Sequence, residues 1–146
     1  MIAFLIILAS YLIGSIPFGL VGKVFFKIRD PRTFGSKNIG ATNILRSGNK
    51  KAAAFTLFFD MFKGFLAVSI ASYIDKDIVS VAILSVVFGH IFPVYLLFKG
   101  GKGVATFLGA LLSYSAVVGS LTLVTWIVVF YLCLLYTSPS PRDTNE

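Results

Sequence analysis

Residues 103–141 run for 39 positions without a charged side chain, and residues 1–22 contain none either. A third stretch, 78–98, holds one histidine, His90, and no Asp, Glu, Lys or Arg. A helix needs about 20 apolar residues to cross a hydrocarbon core of about 30 Å. Backbone N–H and C=O groups inside lipid must be satisfied within the segment, so runs like these are expected to be helices. Composition agrees: 57% of the residues are hydrophobic and 13% are charged, whereas a soluble domain has about a quarter of its residues charged. The fold class implied is an all-α integral membrane protein.

Other classes lose support. The first apolar run lacks the basic leader of a secretory signal, because its positive charges follow it. A single cysteine, Cys133, leaves no internal disulfide to form. The net charge of +7 is compatible with nucleic acid. The basic residues, however, cluster in loops beside the apolar runs, so membrane lipid rather than nucleic acid is the expected partner.

Five spans are expected, at roughly 2–22, 52–73 and 78–98, with two short ones in the run from Gly103 that turn around residues 113–120. This membrane domain is placed at 1–136, and 137–146 is read as a polar tail rich in Pro and Ser, disordered or foreign to the protein. The loop between the first two spans carries Lys23, Lys27, Arg29, Arg32, Lys37, Arg46, Lys50 and Lys51, and the loop after the third carries Lys99 and Lys102. Lys76, between Asp75 and Asp77, is the counterpart on the opposite side. The positive-inside rule places the basic loops in the cytoplasm and the N-terminus outside.

Three groups of residues can carry chemistry. The loop Gly35-Ser36-Lys37-Asn38-Ile39-Gly40-Ala41-Thr42-Asn43-Ile44-Leu45-Arg46 is rich in Gly, Asn, Ser and Thr. Glycines let backbone N–H groups converge on an anion, and Arg46 can fork two hydrogen bonds onto a phosphate. A plain basic loop that only orients the protein needs the lysines alone, and leaves Asn38, Gly40, Thr42 and Asn43 unexplained. The second group is Phe98-Lys99-Gly100-Gly101-Lys102-Gly103-Val104-Ala105-Thr106, at the start of a span. A helix N-terminus suits an anion; an interfacial turn with snorkelling lysines fits the same residues. The spacing of a nucleotide-binding P-loop is absent. The third group is ionisable and lies within spans. Asp60 and Lys63 can pair on one helix face, as a structural ion pair or beside a cavity. His90 is followed by Pro93, which is expected to kink its helix, and serves either packing or catalysis. Gly14-Ser15-Ile16-Pro17-Phe18-Gly19 permits close helix packing and a bend.

Taken in order, the Gly14 to Gly19 motif, the Gly35 to Arg46 loop, Asp60-Met61-Phe62-Lys63-Gly64, the Gly89-His90 and Phe92-Pro93-Val94 motif, and the glycine-lysine loop resemble the bacterial acyl-phosphate:glycerol-3-phosphate acyltransferase family. The likeness runs from the N-terminus to about residue 132. It implies a multispan inner-membrane enzyme with its active site at the cytoplasmic face. The implied reaction moves an acyl group from acyl phosphate to the sn-1 hydroxyl of glycerol 3-phosphate, giving lysophosphatidic acid and phosphate, the start of phospholipid synthesis. By this resemblance Ser36 and Arg46 are catalytic, and Lys102 with Gly100, Gly101 and Gly103 binds the glycerol 3-phosphate phosphate. The residues themselves add His90 as a catalytic candidate, Asn38, Gly40, Thr42, Asn43 and Lys99 as further phosphate-binding candidates, and Asp60 and Lys63 as support for the site. No cofactor or metal is implied. Family members carry about two further spans and a third motif with a functional Asn and Glu, beyond the point where this chain turns polar. A parent of seven spans is therefore expected, with little turnover from this chain alone.

The other common glycerol-phosphate acyltransferases use a His and an Asp five positions apart, and here that partner position holds Tyr95. An anion transporter is the competing class, supported by Asp60, Lys63 and His90 within spans. The gathering of anion-suited loops on one face and the lack of a repeat weigh against it. A non-catalytic assembly subunit is a third reading.

Overall fold

The computed structural model describes residues 1–137, and its regular elements there are helical. Apart from Thr137, the tail expected at 137–146 lies outside the described residues. The first apolar run forms α1 (Ile2–Gly14) and α2 (Phe18–Phe26), broken at residues 15–17. Pro17 has no N–H to continue the ladder, and Ser15 bonds its hydroxyl back to the Tyr11 carbonyl, 2.9 Å away. A short helix, α3 (Ala41–Leu45), follows within the basic loop. Then come α4 (Lys50–Ile74), α5 (Val79–Ile91), α6 (Val104–Tyr114) and α7 (Ala116–Thr137).

Four stretches are long and apolar enough to cross a membrane: 2–26, 50–74, 76–96 and 116–133. The remaining expected crossing, at α6, is shorter. Its 11 residues rise only about 16 Å at ~1.5 Å each, near half the hydrocarbon thickness. Its position explains the length. Gly64 of α4 lies against the Thr106 carbonyl, Gly109 lies against the Met61 carbonyl, and the Ser69 and Ser113 hydroxyls share a 2.8 Å hydrogen bond. So α6 begins beside the middle of α4 and accompanies only its second half. The segment 92–103 descends to that depth as irregular backbone, which lipid tolerates only where protein covers it. Pro93 ends α5 rather than kinking it: the helix stops at Ile91 and Phe92 adopts a non-helical φ of −122°, as the residue before proline must.

Close backbone approach holds the bundle together. A Cβ on Gly14 would collide with the Val86 carbonyl, and one on Gly89 with the Tyr11 carbonyl. Helices in lipid gain little from hydrophobic exclusion, so such van der Waals seams carry their association. Ile6, Ala71 and Ala82 pack at one end; Val68, Val86 and Ala110 pack nearer the middle. These contacts make α1 and α5 parallel and α4 antiparallel to both. Both basic loops therefore lie at one end of the bundle, and the N-terminus shares the other end with Lys76.

Candidate active site

The 31–46 loop is built around one amide. Asn43 is 2% exposed, and its Oδ1 accepts from the Ser36 N–H at 3.0 Å. Its Nδ2 donates to the carbonyls of Pro31 at 2.7 Å, Asn38 at 2.8 Å and Phe34 at 3.3 Å. The Asn38 side chain closes a smaller turn by accepting from the Gly40 N–H at 2.8 Å. Gly35 stands at φ +54° and Lys37 at φ +58°, and a Cβ on Gly35 would strike the Asn43 Oδ1. The loop is thus pinned from within. Asn43, expected to face phosphate, spends its whole side-chain amide on the loop itself, and Asn38 spends its Oδ1 there. Ser36, Thr42 and Arg46 remain exposed, and among the described residues their hydroxyl and guanidinium groups bond to no protein partner.

The loop starts from a charge cluster. Asp30 accepts from Lys23 at 3.0 Å and from Arg32 at 2.8 Å, and its Oδ1 also receives the Arg32 N–H. Hydrogen bonds from the Arg32 side chain, ahead of its other bonds, hold the Asp30 carboxyl well below the usual carboxylate range; the same contact raises Arg32.

The glycine-lysine loop lies elsewhere on the same end. The Gly101 N–H donates to the His90 carbonyl at 3.1 Å, and Gly100 to the Ile91 carbonyl at 3.0 Å. A Cβ on Gly101 would meet the His90 Nε2, and one on Gly100 the His90 carbonyl. Gly103 holds φ +79° and opens α6 without a side-chain cap. Lys99 and Lys102 are exposed.

Beneath this loop is a buried polar cluster. Asp60 and Lys63, with side chains 4% and 3% exposed, meet at 2.9 Å. Lys63 Nζ donates to the Ile16 carbonyl at 2.8 Å, at the break between α1 and α2, and lies 5.8 Å from the Phe18 ring centroid. The Lys63 contact with Asp60 Oδ1 is ionic but poorly aligned, so that oxygen has no directional hydrogen-bond donor. His90 Nδ1 is 3.7 Å from it and 3.1 Å from the Thr106 hydroxyl. His90 is 5% exposed, and its ring lies against the Thr106 hydroxyl and the Gly101 backbone.

So the structure joins His90, Asp60, Lys63, Gly100 and Gly101 into one assembly. Ser36, Asn38, Gly40, Thr42, Asn43 and Arg46 form another. No hydrogen bond or ion pair among the described residues links the two loops directly. Contact runs instead through α2, whose Gly19 lies against the Ile39 carbonyl and whose N-terminal break receives Lys63. Thr106, which closes the glycine-lysine motif with no role expected there, and the Ile16 carbonyl were not among the expected site groups. Among the described residues no three His, Cys, Asp or Glu side chains converge as a metal site would need.

Residues 4–139 match the family described as glycerol-3-phosphate acyltransferase. The glycerol-3-phosphate acyltransferase of Nitrosospira multiformis is 52% identical over 130 residues, covering 85% of this chain and 64% of that protein. The Nitrosomonas europaea protein of the same name is 48% identical over 135 residues, covering 88% and 68%. Among solved structures, the glycerol 3-phosphate form of PlsY (YgiH), an integral membrane glycerol 3-phosphate acyltransferase, is similar with a TM-score of 0.82 at 38% identity, over 90% of this chain and 67% of that one. Its lysophosphatidic acid form gives a TM-score of 0.77. The chain therefore spans about two thirds of the length of the relatives it matches. With its helices, its loops and most of its length shared with these proteins, this membrane-embedded chain belongs to the glycerol-3-phosphate acyltransferase family.

Proposed function

We propose that this chain takes part in acyl transfer from acyl phosphate to the sn-1 hydroxyl of glycerol 3-phosphate, at the cytoplasmic face of the bacterial inner membrane. The observation that carries the reading is the internally bonded 31–46 loop, which leaves the Ser36 hydroxyl and the Arg46 guanidinium exposed and unengaged beside a backbone it has already fixed. The likeness to a structure in its glycerol 3-phosphate form supports the substrate. The excess of basic residues at one end of the bundle supports the cytoplasmic side.

Acyl phosphate is already activated. The glycerol 3-phosphate hydroxyl oxygen attacks the acyl carbon, and the bond from that carbon to the phosphate oxygen breaks. Inorganic phosphate leaves with the electron pair. The hydroxyl proton passes to a donor phosphate oxygen, since neither the 35–46 nor the 99–103 stretch contains Asp, Glu or His. The protein's task is to hold two anions and orient one hydroxyl. Arg46 and Lys102 supply cationic donors for that purpose, and fixed donors stabilise the charge that builds in the transition state. His90, Asp60 and Lys63 hold the 99–103 loop in place from below.

The test is glycerol 3-phosphate-dependent release of phosphate from palmitoyl phosphate by the expected seven-span parent in lipid vesicles, measured beside glycerol 3-phosphate protection of this chain against thermal unfolding. Uptake of labelled phosphate into the vesicles without consumption of palmitoyl phosphate would replace the acyltransferase with an anion transporter.

A further inference from the structure

A concave surface of about 630 Å³ opens between the turn that leaves α2 and the turn that enters α4. Lys27 and Arg29 line it from the first turn, and Lys50 and Lys51 from the second. Phe26 and Ile28 also line it and pack on the Ile44, Ala52 and Ala53 cluster. None of these residues belongs to the two loops described above as the candidate active site.

The charge there is uncompensated. No Asp or Glu lines the cavity. The nearest acidic residue in the chain, Asp30, is occupied by Lys23 and Arg32. Arg29 is held in place by donating to the Thr33 hydroxyl at 3.0 Å and to the Thr33 carbonyl at 3.3 Å. Both acceptors are neutral, so its charge is not cancelled. Four cationic residues therefore line one hollow without a carboxylate among them, which favours an anion.

The neighbouring chain says which kind of anion. Val24 and Phe25, just before the lining residues Phe26 and Lys27, are 74% and 73% exposed. The Phe25 ring is 6.1 Å from that of Phe55 on α4, so an exposed apolar edge adjoins the basic hollow at the end of a span. A free phosphate has no use for this apolar edge. A lipid does, because its acyl chains run along the span while its headgroup sits at the basic end. We propose that the hollow binds the phosphodiester headgroup of an anionic glycerophospholipid, with its chains along Phe25 and Val24. Basic residues beside a span hold anionic lipid through the same surface electrostatics. Here they are gathered into a shaped site.

The test uses the whole chain in neutral detergent, titrated with short-chain phosphatidylglycerol or phosphatidylcholine and read by native mass spectrometry. One phosphatidylglycerol should be retained in preference to phosphatidylcholine. The pair Lys27→Gln and Lys50→Gln should weaken that binding on the order of tenfold or more. The pair Lys37→Gln and Lys76→Gln removes the same charge elsewhere and should leave binding within about twofold. Phe25→Ser, which alters no charge, should weaken it several-fold. Circular dichroism and melting establish that each variant is folded. Equal losses from the two lysine pairs would show a diffuse basic field and overturn the site. Displacement of the lipid by inorganic phosphate at equal concentration, or full binding by Phe25→Ser, would overturn the lipid as its occupant.

Discussion

His90 accepts a hydrogen bond on its carbonyl from the Gly101 N–H at 3.1 Å, and its imidazole Nε2 fills the place where a Gly101 side chain would stand. The loop after α5 is thus folded down onto the last turn of the helix it left. Gly101 is required there by a neighbour, since among the glycines of this loop only Gly103 has a positive φ.

Gly101→Ala should therefore displace the loop, at an overpacking cost of about 1–3 kcal/mol. In the double variant with His90→Ala the ring is gone, so part of that loss should return. Melting in detergent and glycerol 3-phosphate affinity, measured for the singles and the double, check this. Additive effects would show that the two residues do not meet.

Lys63→Met should be strongly destabilising. It leaves the Asp60 carboxylate, 4% exposed, without its cation, and breaking a buried pair costs about 3–5 kcal/mol. The double variant Asp60→Leu and Lys63→Met removes both charges and should melt higher than Lys63→Met alone. The reverse order would show that Lys63 acts chiefly through the Ile16 carbonyl.

Asn43→Ala removes four hydrogen bonds at once. Each buried group left unmet costs about 1–3 kcal/mol. The loss should be local, with faster amide exchange across residues 31–46 and unchanged exchange in the core of α4. Asn43→Asp keeps the acceptor for Ser36 but loses the donors, so it should also loosen the loop. Protection equal to the parent in both variants would remove Asn43 as the organiser.

In the expected seven-span parent, Arg46→Ala should lower turnover by about 10- to 150-fold, the value of a charge-assisted bond of roughly 1.5–3 kcal/mol. Folding should be little affected, because the guanidinium is exposed and braces nothing. Arg46→Lys should remain impaired, since a point charge lacks the planar fork. Kinetics and binding equal to the parent would take Arg46 out of the site.

Asp30 sets a pH dependence. Its carboxyl is held below the usual range, chiefly by hydrogen bonds from Arg32, so its contribution is present above the ordinary carboxylate value and is lost as pH falls through the lowered one. Between about pH 5 and 8 the carboxylate stays charged, and the stability gap between the parent and Asp30→Asn should be constant. The gap should narrow only below about pH 4. A gap that closes near neutrality would assign the effect to another group.

Much of the architecture was legible before any coordinates. Long uncharged runs in lipid are expected to be helices, and the span at 52–73 coincides with α4 to within two residues. The run at 2–22 is helical but broken at 15–17 and carried on to Phe26, the run at 78–98 is α-helical only to Ile91, and the turn expected within 113–120 falls at Ser115. The asymmetry of lysine and arginine likewise anticipated that both basic loops share one end of the bundle. These are one-dimensional properties, set by transfer free energy and charge along the chain. What needed the tertiary structure was depth and partnership. No periodicity tells that α6 covers only half the membrane, because its length is set by where the Gly64 and Gly109 seams dock it on α4. Nor does residue type separate Asn43, which is consumed by its own loop, from Arg46, which is not. An amide bonds a backbone carbonyl or a ligand with the same atoms, and only the packing of Pro31, Phe34, Asn38 and Asn43 decides which. The same holds for His90: its residue type suits packing or catalysis alike, and only the tertiary structure places its ring under Gly101 and beside Thr106.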